Sequence, residues 1–231
     1  MGVCFVTGID TGIGKSVATG LMARWLARRG RSVITQKLVQ TGSPGPVAED
    51  ISVHRRLMGT GLLDVDLDGT TCPCVFAYPA SPHLAARLEN RAVDIAAIDR
   101  ATARLTSRFD HVLIEGVGGA LVPLTESLTV LDFVAERRYQ LAVVGSLRLG
   151  GINHTLLTLE AAQRRGIEVR GIVLNRHHEA PAEIAADSKR LFLEALVRQG
   201  YPPVVVEIPE VRDRSAPPEV DFAPLFPGAG Q

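Results

Sequence analysis

The 231-residue chain is poor in cysteine and has no excess charge of either sign. Of its three cysteines only Cys72 and Cys74 lie close together, and a structural zinc site needs about four ligands, so we expect reduced thiols instead of zinc. Basic and acidic residues are equal at 25 each, which argues against nucleic acid or anionic lipid as a partner. The apolar runs are too short to span a membrane, and the N-terminus does not resemble a secretory signal. The sequence therefore predicts a cytoplasmic protein.

What the chain does contain is a regular alternation of apolar strands and amphipathic helices. Strands are predicted at residues 2–7, 33–39, 111–114, 141–145, 169–174 and 204–208. Helices are predicted at residues 15–29, 48–58, 82–89, 95–107, 128–136, 152–165 and 182–199. This alternation predicts one α/β domain over residues 1–212, with a mostly parallel sheet flanked by helices on both faces. Residues 213–231 are rich in Pro, Ala and Gly, and we expect a tail that is poorly ordered or lies on the surface.

The first predicted strand leads into the glycine-rich segment Gly8-Ile-Asp-Thr-Gly-Ile-Gly14-Lys15-Ser16, which opens a helix. Backbone N–H groups of such a turn point at phosphate oxygens. Lys15 adds a positive charge near the β- and γ-phosphates, and the Ser16 hydroxyl suits a Mg²⁺ ligand. Five residues separate Gly8 from Gly14, one more than in the common motif. The segment predicts a P-loop NTPase-like fold that binds a nucleotide.

Polar groups stand at the ends of the predicted strands, where open α/β sheets bind their ligands. Glu115 ends an apolar strand, and a carboxylate there suits Mg²⁺. Asp50, in the first turn of a predicted helix, is a second candidate, and an acid favoured by the helix dipole is the alternative. Lys37 ends another apolar strand, either as a solvated surface lysine or as a charge that stabilises a transferring phosphoryl group. Asn175 stands at the end of a fourth strand.

Five segments resemble, in this order, the dethiobiotin synthetases, which are the ATP-dependent ligases of biotin synthesis. The segments are GIDTGIGKS, QKLVQTG, SPHLAARLE, EGVGGALVPL and LGGINHTLLTLEAA. They run from Gly8 to Ala162, and Ile208 and Pro209 extend the likeness. The resemblance implies a cyclo-ligase that converts 7,8-diaminononanoate and CO₂ (or bicarbonate) with MgATP to dethiobiotin, ADP and phosphate. The implied intermediates are a carbamate and a carbamic-phosphoric anhydride.

The resemblance also implies a role for each matched residue. Lys37 and Lys15 would be catalytic, and Ser16, Asp50 and Glu115 would hold Mg²⁺. Substrate would be bound by Thr11, Lys37, Thr41 and Asn153. ATP would be bound by Gly12, Ile13, Gly14, Lys15, Ser16, Val17, Asp50, Glu115, Gly116, Val117, Gly118, Asn175, Arg176, Pro209, Glu210 and Val211.

The family resemblance at Asn153 implies a homodimer. In the family, the Asn of the Gly-Ile-Asn segment contacts diamine bound to the opposite subunit, which implies a substrate site near the subunit interface. Taken alone, Asn153 is equally well explained as a helix-cap residue.

Four positions depart from the family pattern. Gly12 stands where Glu is frequent, and Leu38 stands where Pro usually follows the catalytic lysine. Thr41 replaces a common Ser and keeps the hydroxyl. Arg148 stands where Lys is frequent, which leaves its contact with substrate open. None of the four removes a group that the chemistry requires.

Three alternatives belong to other functional classes. A P-loop amide-forming enzyme, such as a cobyrinic acid diamide synthase, usually adds a glutaminase domain, for which this chain is too short. A partitioning or septum-site ATPase of the ParA or MinD kind carries a second lysine near the start of the loop, where Ile9 and Asp10 stand here. A nucleotide-binding regulator without chemistry would be excluded by ATP turnover that depends on diamine and bicarbonate.

Overall fold

A computed structural model describes residues 2–45, 47–177 and 180–228. Its strands are β1 (Gly2–Gly8), β2 (Val33–Lys37), β3 (Gln40–Thr41), β4 (Val75–Phe76), β5 (His111–Gly119), β6 (Gln140–Ser146), β7 (Val169–Asn175) and β8 (Val205–Ile208). Its helices are α1 (Lys15–Ala27), α2 (Glu49–Met58), α3 (Asp64–Leu67), α4 (Pro82–Leu88), α5 (Ile95–Thr106), α6 (Val130–Glu136), α7 (Gly151–Gln163) and α8 (Ala182–Arg198). A short 3₁₀ helix covers Ala223–Leu225.

Six strands form one parallel sheet in the order β2-β5-β1-β6-β7-β8. Consecutive positions of the inner strands are buried, which requires cover on both faces of the sheet. The predicted α/β class with a mostly parallel sheet is confirmed. Because β1 and β5 are neighbours, the glycine-rich loop after β1 and the polar end of β5 lie at the same edge.

The second strand is shorter than predicted. It ends at Lys37 instead of continuing to Val39, because the chain leaves the main sheet there. The next residues form β3, which pairs in parallel with β4 in a separate two-stranded sheet that the sequence analysis did not predict.

The third predicted strand is longer than expected, since β5 continues beyond Ile114 to Gly119. Parallel pairing holds it extended, because Glu115 is paired with Val6 on one side and with Lys37 on the other. This register places Lys37 and Glu115 next to each other. The predicted helices match within two residues at each end, and in the described part of the chain α3 and the short 3₁₀ helix were not predicted.

The described part of the tail is docked on the domain. Phe222, Leu225 and Phe226 are buried in the main hydrophobic core. Trp25 stacks on Phe226 with 6.0 Å between ring centroids, and its Nε1 donates to Asp221 Oδ1 at 3.1 Å. Burying each large apolar side chain contributes about 1.5–3 kcal/mol, which holds the segment in place. A boundary after Arg212 stays a prediction, and residues 229–231 of the predicted tail lie outside the described residues.

The cysteines are free thiols. Cys4, Cys72 and Cys74 are all buried, and burial raises the pKa of the Cys72 thiol to about 12. A thiol with such a pKa is a poor nucleophile at neutral pH. Separately, none of the helices in the described ranges is both long enough and apolar enough to cross a bilayer.

Candidate functional site

The glycine-rich loop connects the end of β1 to the start of α1. Gly14 precedes the helix with a φ of 90°, a left-handed conformation that favours glycine. Among the described residues no side chain caps α1, so its first N–H groups are available to an anion. Arg148 forms an ion pair with Asp10 of this loop.

Lys15 lies buried beneath the loop. Its Nζ donates to the backbone oxygen of Asp10 at 2.9 Å. Burial, assisted by the nearby Lys37 ammonium, lowers the pKa of Lys15 to about 8. Negative charge brought close to Lys15 would favour its protonated form, which suits a lysine that receives a polyphosphate.

Lys37, Ser16, Asp50 and Glu115 meet beside this loop. Lys37 Nζ lies 2.6 Å from Asp50 Oδ2 and 2.9 Å from Glu115 Oε1, and it donates to the backbone oxygen of Gly116 at 2.9 Å. Ser16 Oγ lies 2.7 Å from Asp50 Oδ1 and 3.0 Å from Glu115 Oε1. Side chains from β2, α1, α2 and β5 thus converge on one point at the carboxyl edge of the sheet.

Lys37 and Glu115 form a buried ion pair with side chains that are 4% and 1% exposed. Burial alone would lower the pKa of Lys37, but the Glu115 and Asp50 carboxylates outweigh it and hold the pKa above its ordinary value. Burial alone would raise the pKa of Glu115, but the Lys37 ammonium and a hydrogen bond from His54 hold it below its ordinary value. Both groups are therefore charged at neutral pH.

Ser16, Asp50 and Glu115 fit the requirements of Mg²⁺. They offer two carboxylates and a hydroxyl within hydrogen-bond distance of one another, and all are hard oxygen donors. Within the described residues no group of three or more His, Cys, Asp or Glu side chains is arranged to hold a metal. Mg²⁺ commonly uses one or two carboxylates and takes its other ligands from water and substrate phosphates, so this donor set suffices.

Two cavities of about 460 Å³ each adjoin at Thr11, which lines both. The polar cavity is lined by residues that include Lys15, Ser16, Lys37, Thr41, Asp50, Glu115, Val117 and Gly118. The apolar groove is lined by residues that include Ile9, Ala120, Leu121, Val122, Pro123, Leu157 and Ala161. A molecule with a polar end and a hydrocarbon chain could therefore occupy both spaces.

A small cavity of about 150 Å³ lies on another side of the loop. It is lined by Gly12, Gly14, Val17, Asn175, His177, Val211 and Arg214. Four of these, namely Gly12, Gly14, Val17 and Arg214, also line the polar cavity. The Asn175 amide donates to the backbone oxygen of Ile13 at 2.9 Å, which ties the end of β7 to the loop.

Three residues predicted to bind ATP, Arg176, Pro209 and Glu210, line neither the polar nor the small cavity. Arg176 Nη1 donates to Glu207 Oε2 at 3.1 Å. Pro209 and Glu210 are exposed, and Glu210 accepts a hydrogen bond of 2.7 Å from Arg212. Asn153 is exposed in the first turn of α7, outside the polar cavity and the apolar groove.

Sequence reasoning did not find His54 or Arg214. His54 is fully buried, and its Nε2 lies 2.7 Å from Glu115 Oε2. The available signal was its spacing of four residues from Asp50, which places both side chains on one face of α2. Arg214 lies in the predicted tail, where nothing in the sequence distinguishes it from Arg212.

Comparison with known proteins gives consistent sequence relatives. A family model described as an AAA domain matches residues 3–217. The chain is 55% identical to the ATP-dependent dethiobiotin synthetase BioD of Chlorobaculum tepidum, over 86% of this chain and 83% of the relative. It is 49% identical to BioD 2 of Haemophilus influenzae over 77% of this chain and 92% of the relative. It is 43% identical to BioD 2 of Pasteurella multocida over 89% of this chain and 96% of the relative.

Solved structures with a similar fold are much more distant in sequence. A ParA family ATPase from Chlorobium tepidum TLS matches with a TM-score of 0.53 at 16% identity, over 91% of this chain and 85% of that chain. The structure of pNOB8 ParA bound to nonspecific DNA matches with a TM-score of 0.55 at 11% identity, over 94% of this chain and 90% of that chain. At such identities the likeness extends to the fold alone.

Proposed function

The chain belongs to the ATP-dependent dethiobiotin synthetase family, and we propose that it is the ligase that closes the cyclic urea of dethiobiotin from 7,8-diaminononanoate, CO₂ and ATP. One observation carries the proposal. Lys37 meets Ser16, Asp50 and Glu115 beside the glycine-rich loop, and this polar cavity adjoins an apolar groove at Thr11, which lines both. A switch ATPase of the ParA or MinD kind has no evident use for an apolar groove that joins its phosphate site.

In this proposal the polar cavity holds the triphosphate of ATP. N–H groups of residues 12–17 and the Lys15 ammonium bind the phosphates, and Val117 and Gly118 lie along the nucleotide. Ser16, Asp50 and Glu115 would hold Mg²⁺, which when bound neutralises charge on the transferring phosphoryl group. Asn175 and Val211, in the small cavity, are proposed to contact the base. The ATP contacts of Arg176, Pro209 and Glu210 stay predictions.

The diamine is proposed to lie across the junction of the two cavities. Its two neighbouring amines would face the hydroxyls of Thr11 and Thr41 in the polar cavity, and its hydrocarbon chain would follow the apolar groove. This orientation matches the polar and apolar ends of the molecule to the two linings, and it brings the amines towards Lys37.

Lys37 then serves two successive steps. One amine adds to CO₂ and loses a proton to give a carbamate, whose oxygen attacks the γ-phosphorus as the bond to ADP breaks. The second amine attacks the carbamate carbon of the resulting anhydride, loses a proton and expels phosphate, which closes the ring. Negative charge develops on oxygen in both steps. A buried ammonium whose pKa is held high by two carboxylates offers a fixed positive charge to stabilise it.

We also propose that the chain acts as a homodimer with the substrate site near the interface. Leu121 and Leu157 of the apolar groove are 55% and 54% exposed. A second copy would cover this open apolar surface. The exposed position of Asn153 is compatible with a contact across such an interface. The cytoplasmic location stays a prediction.

The test of the proposed function is a reconstitution. Protein, MgATP, bicarbonate and 7,8-diaminononanoate are mixed, and phosphate and dethiobiotin are measured together, with the diamine omitted as control. We expect equal amounts of both products and little phosphate without diamine. Phosphate release that does not depend on diamine and yields no dethiobiotin would support a switch ATPase instead.

Thr41→Val is expected to raise the KM for the diamine about tenfold and to leave the KM for ATP nearly unchanged. Thr41 lines the polar cavity, and Val keeps its shape while removing the hydroxyl. A tenfold change corresponds to about 1.4 kcal/mol, which is within the range for the loss of one hydrogen bond. Steady-state kinetics with each substrate varied in turn measures both constants. An unchanged KM for the diamine would remove Thr41 from the substrate site.

Arg214→Ala is expected to weaken ATP binding about three- to tenfold, measured by calorimetry with a non-hydrolysable analogue. Arg214 lines both the polar and the small cavity, at the place where phosphates would join the nucleoside. Asp213 Oδ1 accepts hydrogen bonds from the N–H and Oγ of Ser215, which fixes the turn that carries Arg214. Arg212→Ala is the matched control, because Arg212 is bonded to Glu210. Equal affinities of the two variants would contradict the assignment.

A further inference from the structure

A chain of buried polar side chains runs behind Glu115, away from the polar cavity. His54 Nε2 lies 2.7 Å from Glu115 Oε2, and His54 Nδ1 lies 3.0 Å from Thr35 Oγ1. Arg55 Nη1 donates to Thr35 Oγ1 at 2.8 Å. Arg55 Nε and Nη2 donate to the two carboxylate oxygens of Asp66, each at 2.8 Å. His54, Thr35, Arg55 and Asp66 are at most 2% exposed, and the proposed reaction uses none of them directly.

The donors of this chain specify the direction of each hydrogen bond. Arg55 has only donors, so the Thr35 oxygen accepts from it. An ionised carboxylate oxygen only accepts, so His54 Nε2 carries a proton and donates to Glu115 Oε2. In the neutral ring His54 Nδ1 is then the acceptor for the Thr35 hydroxyl hydrogen. In the opposite tautomer His54 Nε2 would present a lone pair to a carboxylate oxygen, which is repulsive.

The two Glu115 carboxylate oxygens have different partners. Oε2 is engaged by the histidine, whereas Oε1 faces the polar cavity, 2.9 Å from Lys37 Nζ and 3.0 Å from Ser16 Oγ. Resting on the proposed function, we infer that His54 is a positioning residue. It holds Glu115 in the rotamer that offers Oε1 to the divalent cation, and Thr35 and the Arg55–Asp66 pair in turn hold His54.

The position of His54 on α2 supports this role. Asp50 precedes it by four residues on the same helix, so one helix face carries one carboxylate of the proposed cation site and the anchor of the other. Asp66 lies on α3 and also accepts a hydrogen bond from Thr71 Oγ1 at 2.7 Å. This series of hydrogen bonds thus fixes the distance between the Asp50 and Glu115 carboxylates through the packing of α2 against β2. Partners of this kind behind a metal ligand commonly change metal affinity 10- to 100-fold when removed.

The test measures binding of Mn²⁺ by electron paramagnetic resonance, with the protein saturated with ADP. His54→Leu removes the donor to Glu115, and we expect Mn²⁺ affinity to fall about 10- to 100-fold. His54→Gln, whose amide can still donate to Glu115 Oε2, is expected to recover affinity to within about fivefold of wild type. A purely structural histidine predicts no such rescue, and equal Mn²⁺ affinity of His54→Leu and wild type would overturn the inference.

Two further variants keep the test decisive if His54→Leu fails to fold. Thr35→Val removes the hydroxyl that bonds the His54 ring and accepts from Arg55, and a fall of about three- to tenfold in Mn²⁺ affinity is expected. Thr102→Val is the control. The buried Thr102 hydroxyl lies 2.9 Å from Oε1 of Gln36, the residue that follows Thr35 in sequence, and Thr102 is not part of the series of hydrogen bonds behind Glu115. Equal Mn²⁺ affinities of these two variants would contradict the inference. If wild-type protein with ADP binds no Mn²⁺, the proposed cation site itself is wrong, which is a different outcome.

Discussion

Replacing Lys37 with Gln is expected to lower kcat by about 10²- to 10³-fold and to change ATP affinity less than about threefold. Lys37 is buried with its Nζ within 2.9 Å of both Glu115 and Asp50, so its charge has a defined place next to the proposed γ-phosphate position. Gln keeps a hydrogen-bond donor but loses the charge that stabilises the transferring phosphoryl group, and losses of this size are typical for such a group. Initial rates of dethiobiotin formation and calorimetry with an ATP analogue measure the two quantities.

The same substitution is expected to destabilise the empty enzyme. Glu115 is 1% exposed, and without Lys37 its charge lacks a buried cationic partner. The melting temperature of the variant should therefore be lower than that of wild type. Addition of MgADP should raise the melting temperature of the variant by more than it raises that of wild type. Lys189→Gln is the control, because Lys189 pairs with Glu207 at 2.8 Å on a half-exposed surface. A kcat within about threefold of wild type would remove Lys37 from the mechanism.

The second large effect is expected from Gly14→Ala, which should weaken ATP binding by at least about 100-fold. A Cβ on Gly14 would clash with Asn175 Nδ2, and that amide is held by its hydrogen bond to the Ile13 oxygen. The φ of 90° adds a cost of about 1–2 kcal/mol for any residue with a side chain. The Asn175 amide or the loop must therefore shift, which breaks the bond that ties β7 to the loop, and we expect the loop N–H groups no longer to converge on the phosphates. Calorimetry with an ATP analogue measures the loss.

Gly12→Ala provides a matched control within the same loop. Gly12 also has a left-handed φ, of 72°, but a Cβ there would meet no atom within 4 Å. We expect this variant to lose about tenfold or less in ATP affinity, since it carries backbone strain without the clash. Circular dichroism would establish that both variants fold. If Gly14→Ala and Gly12→Ala lose affinity equally, the contact with Asn175 is not the cause.

Residues close together in sequence were predictable because their geometry is local. A strand followed by a glycine-rich turn and a helix leaves few arrangements of residues 2–27, and β1 and α1 have the expected form. Placing Lys37 and Glu115 at the ligand edge needed only the rule that parallel strands end on one side. That they touch depends on β2 and β5 being neighbours, with these two residues paired in register.

Contacts between distant segments were not predictable in the same way. The hydrogen bond from Asn175 to Ile13 joins residues 162 positions apart, whereas the sequence placed Asn175 at a strand end and the family resemblance implied an ATP contact. His54 was overlooked because its partner Glu115 lies 61 positions away on another element. Composition suggested a tail that is poorly ordered or lies on the surface, and it could not show that Phe222 is buried in a core built by other segments. None of these neighbours is visible to a local pattern.

The sequence alone determined the phosphate-binding loop and the alternating α/β chain, because backbone sterics, periodic burial and motif spacing act over a few residues. The residue roles of an ATP-dependent ligase were implied by the resemblance to a known family. Only the tertiary structure decided the strand order, the meeting of Lys37 with two carboxylates, the junction of the polar cavity with the apolar groove and the buried support behind Glu115. Those features depend on which distant segments pack together, and that choice is made by the whole core at once.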